Sequence, residues 1–442
     1  MDYSSFTWAQ TTVKPDWTKS LLLLITIGCI ALFIVAVILI NRDNSGKSHT
    51  AYVTAITPTT TGPLPKSTVG FKNIQTINYS DIAGGTLAVG SAMATTLEWL
   101  AIAQTNPAIG VDTTSIYMYK NSAFGTSTAD PAYTYVATLT AAGGQGTPIL
   151  AMSRFNGLNN MSISVQNLAG TYSVINYSAP GGIWAALPTL PAIFADPIDS
   201  LAQWSTTTAV VSGGVVYLYV AGVSSVVFSD LSATSVAIDG VCEYIVLLIG
   251  GQGAAYLYKK LASEPCWGYP LNSYLGTNAR FAEQVAISLP SFAISDYDNS
   301  RGTALPSDCV LGQCRVLIYS LDAPSKLDGM LLLDQTLMDQ YQMVPYNSGL
   351  ILYTNLGASL FTGCNNKWAQ SYNWYFPNST AQPVVATGYL PLVAIRNSVT
   401  APAPNTMISL YAQTCLTSNS TATVYNPHSL VYATCNGTRT VF

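Results

Sequence analysis

Tyr244 to Tyr258 reads YIVLLIGGQGAAYLY, fifteen residues without a charge. It is apolar enough to invite a membrane reading, but a lipid-spanning helix needs about 20 continuous apolar residues. The Gly250-Gly251 pair breaks the run, and its β-branched and aromatic residues fit buried strands better than a lipid-facing helix. The uncharged stretch Ser200 to Phe228, broken at Gly213-Gly214, reads the same way.

The final AAYLY of the opening stretch has counterparts along the chain. Runs ending in hydrophobic-x-hydrophobic-Tyr, or close to it, are SIYMY at Tyr119, YSVINY at Tyr177, VVYLY at Tyr219, AAYLY at Tyr258, RVLIY at Tyr319, GLILY at Tyr353 and MISLY at Tyr411. Their gaps are 58, 42, 39, 61, 34 and 58 residues, a mean near 49 over six intervals. That period falls in the range of propeller blades, about 40–50 residues each. Radial repetition also lets a long all-β chain avoid open sheet edges. The expectation is an all-β, six-bladed β-propeller head over residues 71–442, with stacked β-sandwiches as the second choice. Helical periodicity is nearly absent. The best helical candidates are Met93 to Gln104, MATTLEWLAIAQ, and a short segment near Leu327 to Gln342.

Composition narrows the function. Of 442 residues, 17 are Lys or Arg and 21 are Asp or Glu, so 9% are charged, against about 25% in an ordinary soluble domain. This excludes a nucleic-acid binder, which needs a dense basic face. Charge-driven disorder and long coiled coils fail for the same reason. The net charge of −4 is too small to steer a charged partner.

Ahead of the head, Leu21 to Ile40 reads LLLLITIGCIALFIVAVILI. As a helix it would span roughly 30 Å, the thickness of the hydrocarbon core. The layout expected is a cytoplasmic tail over 1–19, a transmembrane signal anchor over 20–41 and an extended, Thr/Pro-rich stalk over 42–70. All six N-x-Ser/Thr acceptors, Asn78, Asn160, Asn176, Asn378, Asn419 and Asn436, follow the span, as do seven of the eight cysteines. Both put the large C-terminal part outside, as a single-pass type II membrane glycoprotein. Proximity suggests the disulfides Cys242–Cys266, Cys309–Cys314 and Cys415–Cys435, leaving Cys364 over.

Little in the sequence points to chemistry. Only two histidines occur, His49 in the stalk and His428 near the C-terminus, too few for a Ser-His-Asp or Cys-His hydrolase. No Cys-x-x-Cys pair points to zinc and no Gly-rich phosphate loop to a nucleotide, so neither metal nor cofactor is expected. Sialidases, which use a Tyr nucleophile and arginines that hold a carboxylate, are the enzyme class to test. The candidate ligand-binding residues are Arg154, Arg280 with Glu283, Asp298 with Arg301, and Arg396.

In its layout the chain resembles the attachment glycoproteins of enveloped negative-strand RNA viruses, the paramyxovirus haemagglutinin-neuraminidase and orthomyxovirus neuraminidase type. Locally, PSDCVLGQCRVLIYS (Pro306 to Ser320) looks like a cysteine-paired segment before a propeller strand, and QMVPYNSGLILY (Gln342 to Tyr353) like a turn-then-strand segment of those heads. The resemblance implies attachment to a host-cell receptor, glycan or protein, on the virion envelope and host-cell surface. It also implies a partner fusion protein and a homo-oligomer. The Asn-Arg-Lys-Ser-Cys-Ser hexapeptide of sialidase-active members is absent, so no catalytic residue carries over. The readings that compete with attachment are a sialidase-type glycosidase on the same scaffold and a structural envelope or surface-layer protein.

Overall fold

The computed structural model describes residues 50–52, 70–78, 423–424 and most of 92–415; the larger gaps within that last stretch are 106–111, 125–131, 298–313, 333–340 and 376–383. The expected tail, membrane span and most of the stalk lie outside the described residues. Among those residues no helix is long and apolar enough to cross a membrane.

The described chain is all β, apart from one 3-10 turn at Pro180–Gly182, and forms seven sheets. Each sheet is an antiparallel meander of four strand positions and makes one propeller blade. Blade 1 begins with Ala92–Thr95, blade 2 with Gln145–Phe155, blade 3 with Ile198–Trp204 and blade 4 with Ala233–Gly240. Blades 5, 6 and 7 begin with Phe281–Ser288, Gln342–Tyr346 and Val384–Thr387. Each first strand packs against the first strands of the blades before and after it, and blade 7 meets blade 1. The ring is therefore closed, with the first strands around its axis. Turns joining first to second and third to fourth strands share one face, here the hairpin face. Links between blades and turns joining second to third strands share the other, the entry face.

The propeller has seven blades, not six. The seven tyrosine runs are one per blade, and the blade number equals the number of runs, not of intervals. Six of the tyrosines lie on the third strand of their blade. Tyr353 lies on the second strand of blade 6, Gly349–Tyr353, which accounts for the short gap of 34 before it.

The core follows the same sevenfold order. Each of seven hydrophobic clusters lies between two successive blades. Tyr119 packs between blades 7 and 1, Tyr177 between 1 and 2, Tyr219 between 2 and 3 and Tyr258 between 3 and 4. A second strand covered on both sides by neighbouring blades loses its polar face. This explains why Tyr244–Gly251, with pattern iBBBBBBB from half-buried to buried, is nearly continuous in apolar residues. It also corrects the helical reading of Met93 to Gln104. These residues form two strands, Ala92–Thr95 and Trp99–Thr105, the second buried on both faces, so no period-2 alternation reveals it. The helix expected near Leu327 to Gln342 is likewise replaced, where described, by the end of strand Ala323–Leu332 and the start of Gln342–Tyr346.

The glycine pairs serve different purposes. Gly213 and Gly214, at φ 57° and 78°, make the tight turn between two strands, a backbone region open to glycine at little cost. Gly250 and Gly251 lie within a strand. A Cβ on Gly250 would strike the Ala282 carbonyl of blade 5, and one on Gly251 the Leu231 carbonyl of the preceding link.

Side chains bridge the blades where main-chain ladders cannot. The Val236 amide donates to Ser200 Oγ at 3.1 Å and the Val285 amide to Ser235 Oγ at 3.2 Å, tying blade 3 to 4 and 4 to 5. Gln284 of blade 5 donates to the Tyr341 carbonyl at 2.8 Å and accepts from the Met343 amide at 3.2 Å at the start of blade 6.

Ring closure uses the same device. The outermost strand of blade 7 is Gly70–Asn78, antiparallel to Asn405–Cys415. Its Gln75 side chain donates to the Tyr133 carbonyl at 2.8 Å and accepts from the Tyr133 amide at 2.7 Å, fastening the strand to blade 1. Within the expected stalk, Thr50–Tyr52 adds in parallel to the edge of Ala323–Leu332 in blade 5, so these three residues are not free of the head.

Candidate functional site

The sequence-selected residues do not come together. Arg154 closes the first strand of blade 2, on the hairpin face, just before the turn at Asn156 and Gly157. Its partner is Glu98, in the first turn of blade 1, which is 8% exposed. The Glu98 carboxylate accepts from Asn159 Nδ2 at 2.8 Å and Arg154 Nε at 3.4 Å, and Lys120 Nζ lies 3.6 Å away. Lys120 Nζ is 5.4 Å from the centre of the Trp99 ring, and the Arg154 guanidinium 4.7 Å from that of Phe124. Trp99, fully buried, meets Trp184 edge-on at 5.6 Å. A carboxylate shared by two cations and an amide is a satisfied network. It joins blades 1 and 2.

Arg280 precedes the first strand of blade 5, on the entry face. It holds Glu283 with Nε–Oε1 at 2.9 Å and Nη2–Oε2 at 3.0 Å. Both side chains are partly exposed, so the pair contributes only about 0–1 kcal/mol. Arg396 is buried in the second strand of blade 7, at the junction with blade 6. Its charge acts on Tyr353: burial pushes that hydroxyl up to about 12, opposed by a hydrogen bond with the Val385 backbone and by Arg396. Asp298 and Arg301 lie outside the described residues. The three described candidate arginines thus occupy blades 2, 5 and 7 and form no carboxylate clamp. Among the described residues no group of three or more His, Cys, Asp or Glu is placed to hold a metal.

One further expectation is corrected. Cys266 is an exposed free thiol and Cys242 is disulfide-bonded, so the Cys242–Cys266 pair does not form. Each of the other two suggested pairs includes a cysteine, Cys309 or Cys435, outside the described residues. The acceptors Asn160 and Asn176 are 3% and 4% exposed in blade 2. Asn176 Oδ1 accepts from Ser162 Oγ at 2.6 Å, within a buried polar group that includes Gln203 and Thr208. A glycan on either amide would have to enter the junction of blades 2 and 3 or the packed sheet beside it. Asn78 ends the closing strand and is half-buried; Asn378, Asn419 and Asn436 lie outside the described residues.

What sequence reasoning missed falls in two places. On the hairpin face, Glu98 was the signal available, a carboxylate inside an otherwise uncharged apolar run. On the entry face a polar cavity of about 390 Å³ opens between blades 3 and 4. Its Gly, Ser, Thr and Gln residues carry no sequence signature. A second cavity, of about 10 Å³, lies between blades 5 and 6, lined largely by core residues such as Phe292, Ile318 and Leu350. It is about the size that admits one water and belongs to the packing.

No protein-family model matches the sequence, and no curated protein matches it. The fold is similar to that of PorZ, an essential bacterial surface component of the type-IX secretion system of Porphyromonas gingivalis, at 11% identity and a TM-score of 0.43 over 77% of this chain. The chain spans 38% of PorZ. It is also similar to the N-terminal domain of Nup159, at 10% identity and a TM-score of 0.45, over 78% of this chain and 96% of that domain. Neither likeness bears on function.

Proposed function

We propose that the chain is a non-catalytic binding protein whose propeller engages a receptor, displayed from a membrane as a type II glycoprotein of the viral attachment kind. The observation that carries this reading is the separation of its charged groups. The described arginines singled out by the sequence stand in three different blades; two are paired with glutamates and the third is buried. A sialidase needs guanidinium groups converging on one carboxylate, and scattered arginines count against it.

The surface supports binding by neutral contact. All the large apolar side chains that are exposed among the described residues lie on blades 1 to 4. Ile183, Val223 and Tyr269, the last 97% exposed, lie at the third-to-fourth turns of blades 2, 3 and 4, on the hairpin face. On this reading the partners are a host-cell receptor and a fusion protein.

The test is to add the soluble head to panels of cells and glycans, with a sialidase assay alongside. Saturable cell binding without turnover is expected. Release of sialic acid, or failure to bind any cell, would overturn the proposal.

A further inference from the structure

The entry-face cavity between blades 3 and 4 is built from elements that hydrogen bonds hold in place. Its lining includes the exposed Asp199 on the first strand of blade 3 and the half-buried Thr234 on the first strand of blade 4. Beside them lie Ser229 and Ser232, from between the two blades, and Gln252, from the turn after the second strand of blade 4. The Ala233 amide donates to the Gly214 carbonyl at 2.9 Å and the Gln252 amide to the Ser232 carbonyl at 3.2 Å, so both turns are pinned to the link between them. A cavity whose walls are fixed before a ligand arrives loses little in ordering them.

The rim is equally constrained. Gly213 and Gly214 line the opening at positive φ, and a Cβ on Gly213 would lie 2.5 Å from Asp196 Oδ2. Asp196 therefore sits directly against this rim. Its charge also acts on Asp199, whose carboxyl is held above its usual range by partial desolvation and by Asp196.

The chemistry of the lining selects a ligand. Three hydroxyls each donate and accept, one amide does both, and a carboxylate accepts. Among the described residues the lining contains no cation and no aromatic ring. At about 390 Å³ the cavity lies within the range of small-molecule sites, about 300–1,000 Å³, but it is polar where most are apolar. A ligand that fits must bring many hydroxyls and no negative charge.

We propose that this cavity binds an uncharged sugar residue, with Asp199 and Gln252 taking its hydroxyls and Asp196 excluding acidic sugars. The proposal deepens the receptor-binding reading and rests on it for its biological use, by naming a neutral glycan as the ligand.

The test applies galactose, glucose, N-acetylglucosamine and N-acetylneuraminic acid to the full chain in a sugar-free detergent, read by saturation-transfer NMR. Transfer to the neutral sugars and little to N-acetylneuraminic acid is expected. Asp199→Asn and Gln252→Ala, both at exposed positions that leave the core alone, should each weaken binding about tenfold, the loss of one good hydrogen bond. Preference for N-acetylneuraminic acid, absence of binding to any sugar, or unchanged binding in both variants would overturn the assignment. Cell binding in the absence of sugar binding would sink the cavity and leave the receptor reading standing. Sugar binding without cell binding would do the reverse.

Discussion

Replacing Ile77 by Ala tests whether the strand Gly70–Asn78 closes the ring. Ile77 is 6% exposed and packs in the cluster of Met93, Leu100 and Ile102 from blade 1 with Ala394, Ile408 and Leu410 from blade 7. The substitution removes three carbons. At about 0.8 kcal/mol each, the transfer contribution is about 2.4 kcal/mol. A cavity between two sheets that cannot collapse onto it raises the loss to about 3–4 kcal/mol. Thr76→Ala, one residue away and exposed, leaves the same strand in place and should change stability by no more than about 0.5 kcal/mol. Urea unfolding followed by tryptophan fluorescence measures both variants on equal terms. If Ile77→Ala costs no more than Thr76→Ala, the strand does not close the ring and the account of the last blade is wrong.

Other outcomes follow from the same packing. Glu98→Ala strips two cations and the Asn159 amide of their acceptor and should cost about 2–4 kcal/mol in urea unfolding; Glu98→Gln, which keeps one acceptor, should cost less. Gly250→Ala drives a methyl into the Ala282 carbonyl of the next blade and should destabilise by about 1–3 kcal/mol, seen as a lowered Tm. Tyr219, Tyr258, Tyr346, Tyr353 and Tyr411 all have hydroxyls raised by burial. A raised folded value means that the stabilisation is complete below about pH 10 and is lost as pH climbs. For Tyr353, from 10.0 to about 12, that is on the order of 3 kcal/mol. Unfolding and tyrosinate absorbance should therefore rise together between pH 10 and 12, and stability unchanged across that window would contradict the burial of these rings. Peptide mapping of protein made in glycosylating cells should find Asn160 and Asn176 unmodified.

The fold was legible where one residue type marks one position in every repeat. Tyr119, Tyr177, Tyr219, Tyr258, Tyr319 and Tyr411 mark the third strand of their blades and Tyr353 the second strand of blade 6, so the repeat stood out in the sequence with one irregular spacing. The blade number was lost by counting spacings, since a closed ring has as many spacings as repeats and a linear sequence displays one fewer. Trp99 to Thr105 misled because a strand covered on both sides has no polar face to betray its period. At the candidate sites, Arg280 and Glu283 could be paired by eye because they are three residues apart. Glu98 and Arg154 are 56 residues apart, and only the meeting of two blades joins them. The cavity at Asp199 and Gln252 was invisible for a further reason: its lining is built from glycine turns, hydroxyls and single polar residues of types that occur throughout the chain.

The seven interblade clusters also govern how the molecule comes apart. In an open stack of repeats an end unit has one neighbour, peels away by breaking one junction, and needs a cap. In this ring every blade has two neighbours, so removing any blade breaks two junctions at once. Fraying from an end is unavailable while Gly70–Asn78 stays in place. Once that strand leaves, the junction of blades 7 and 1 keeps its first-strand packing and the Ala394, Ile408 and Leu410 side of its core but loses Ile77 and the Gln75 clamp on Tyr133. A single nine-residue strand thus decides how strongly the one junction that joins the two ends of the ring resists opening.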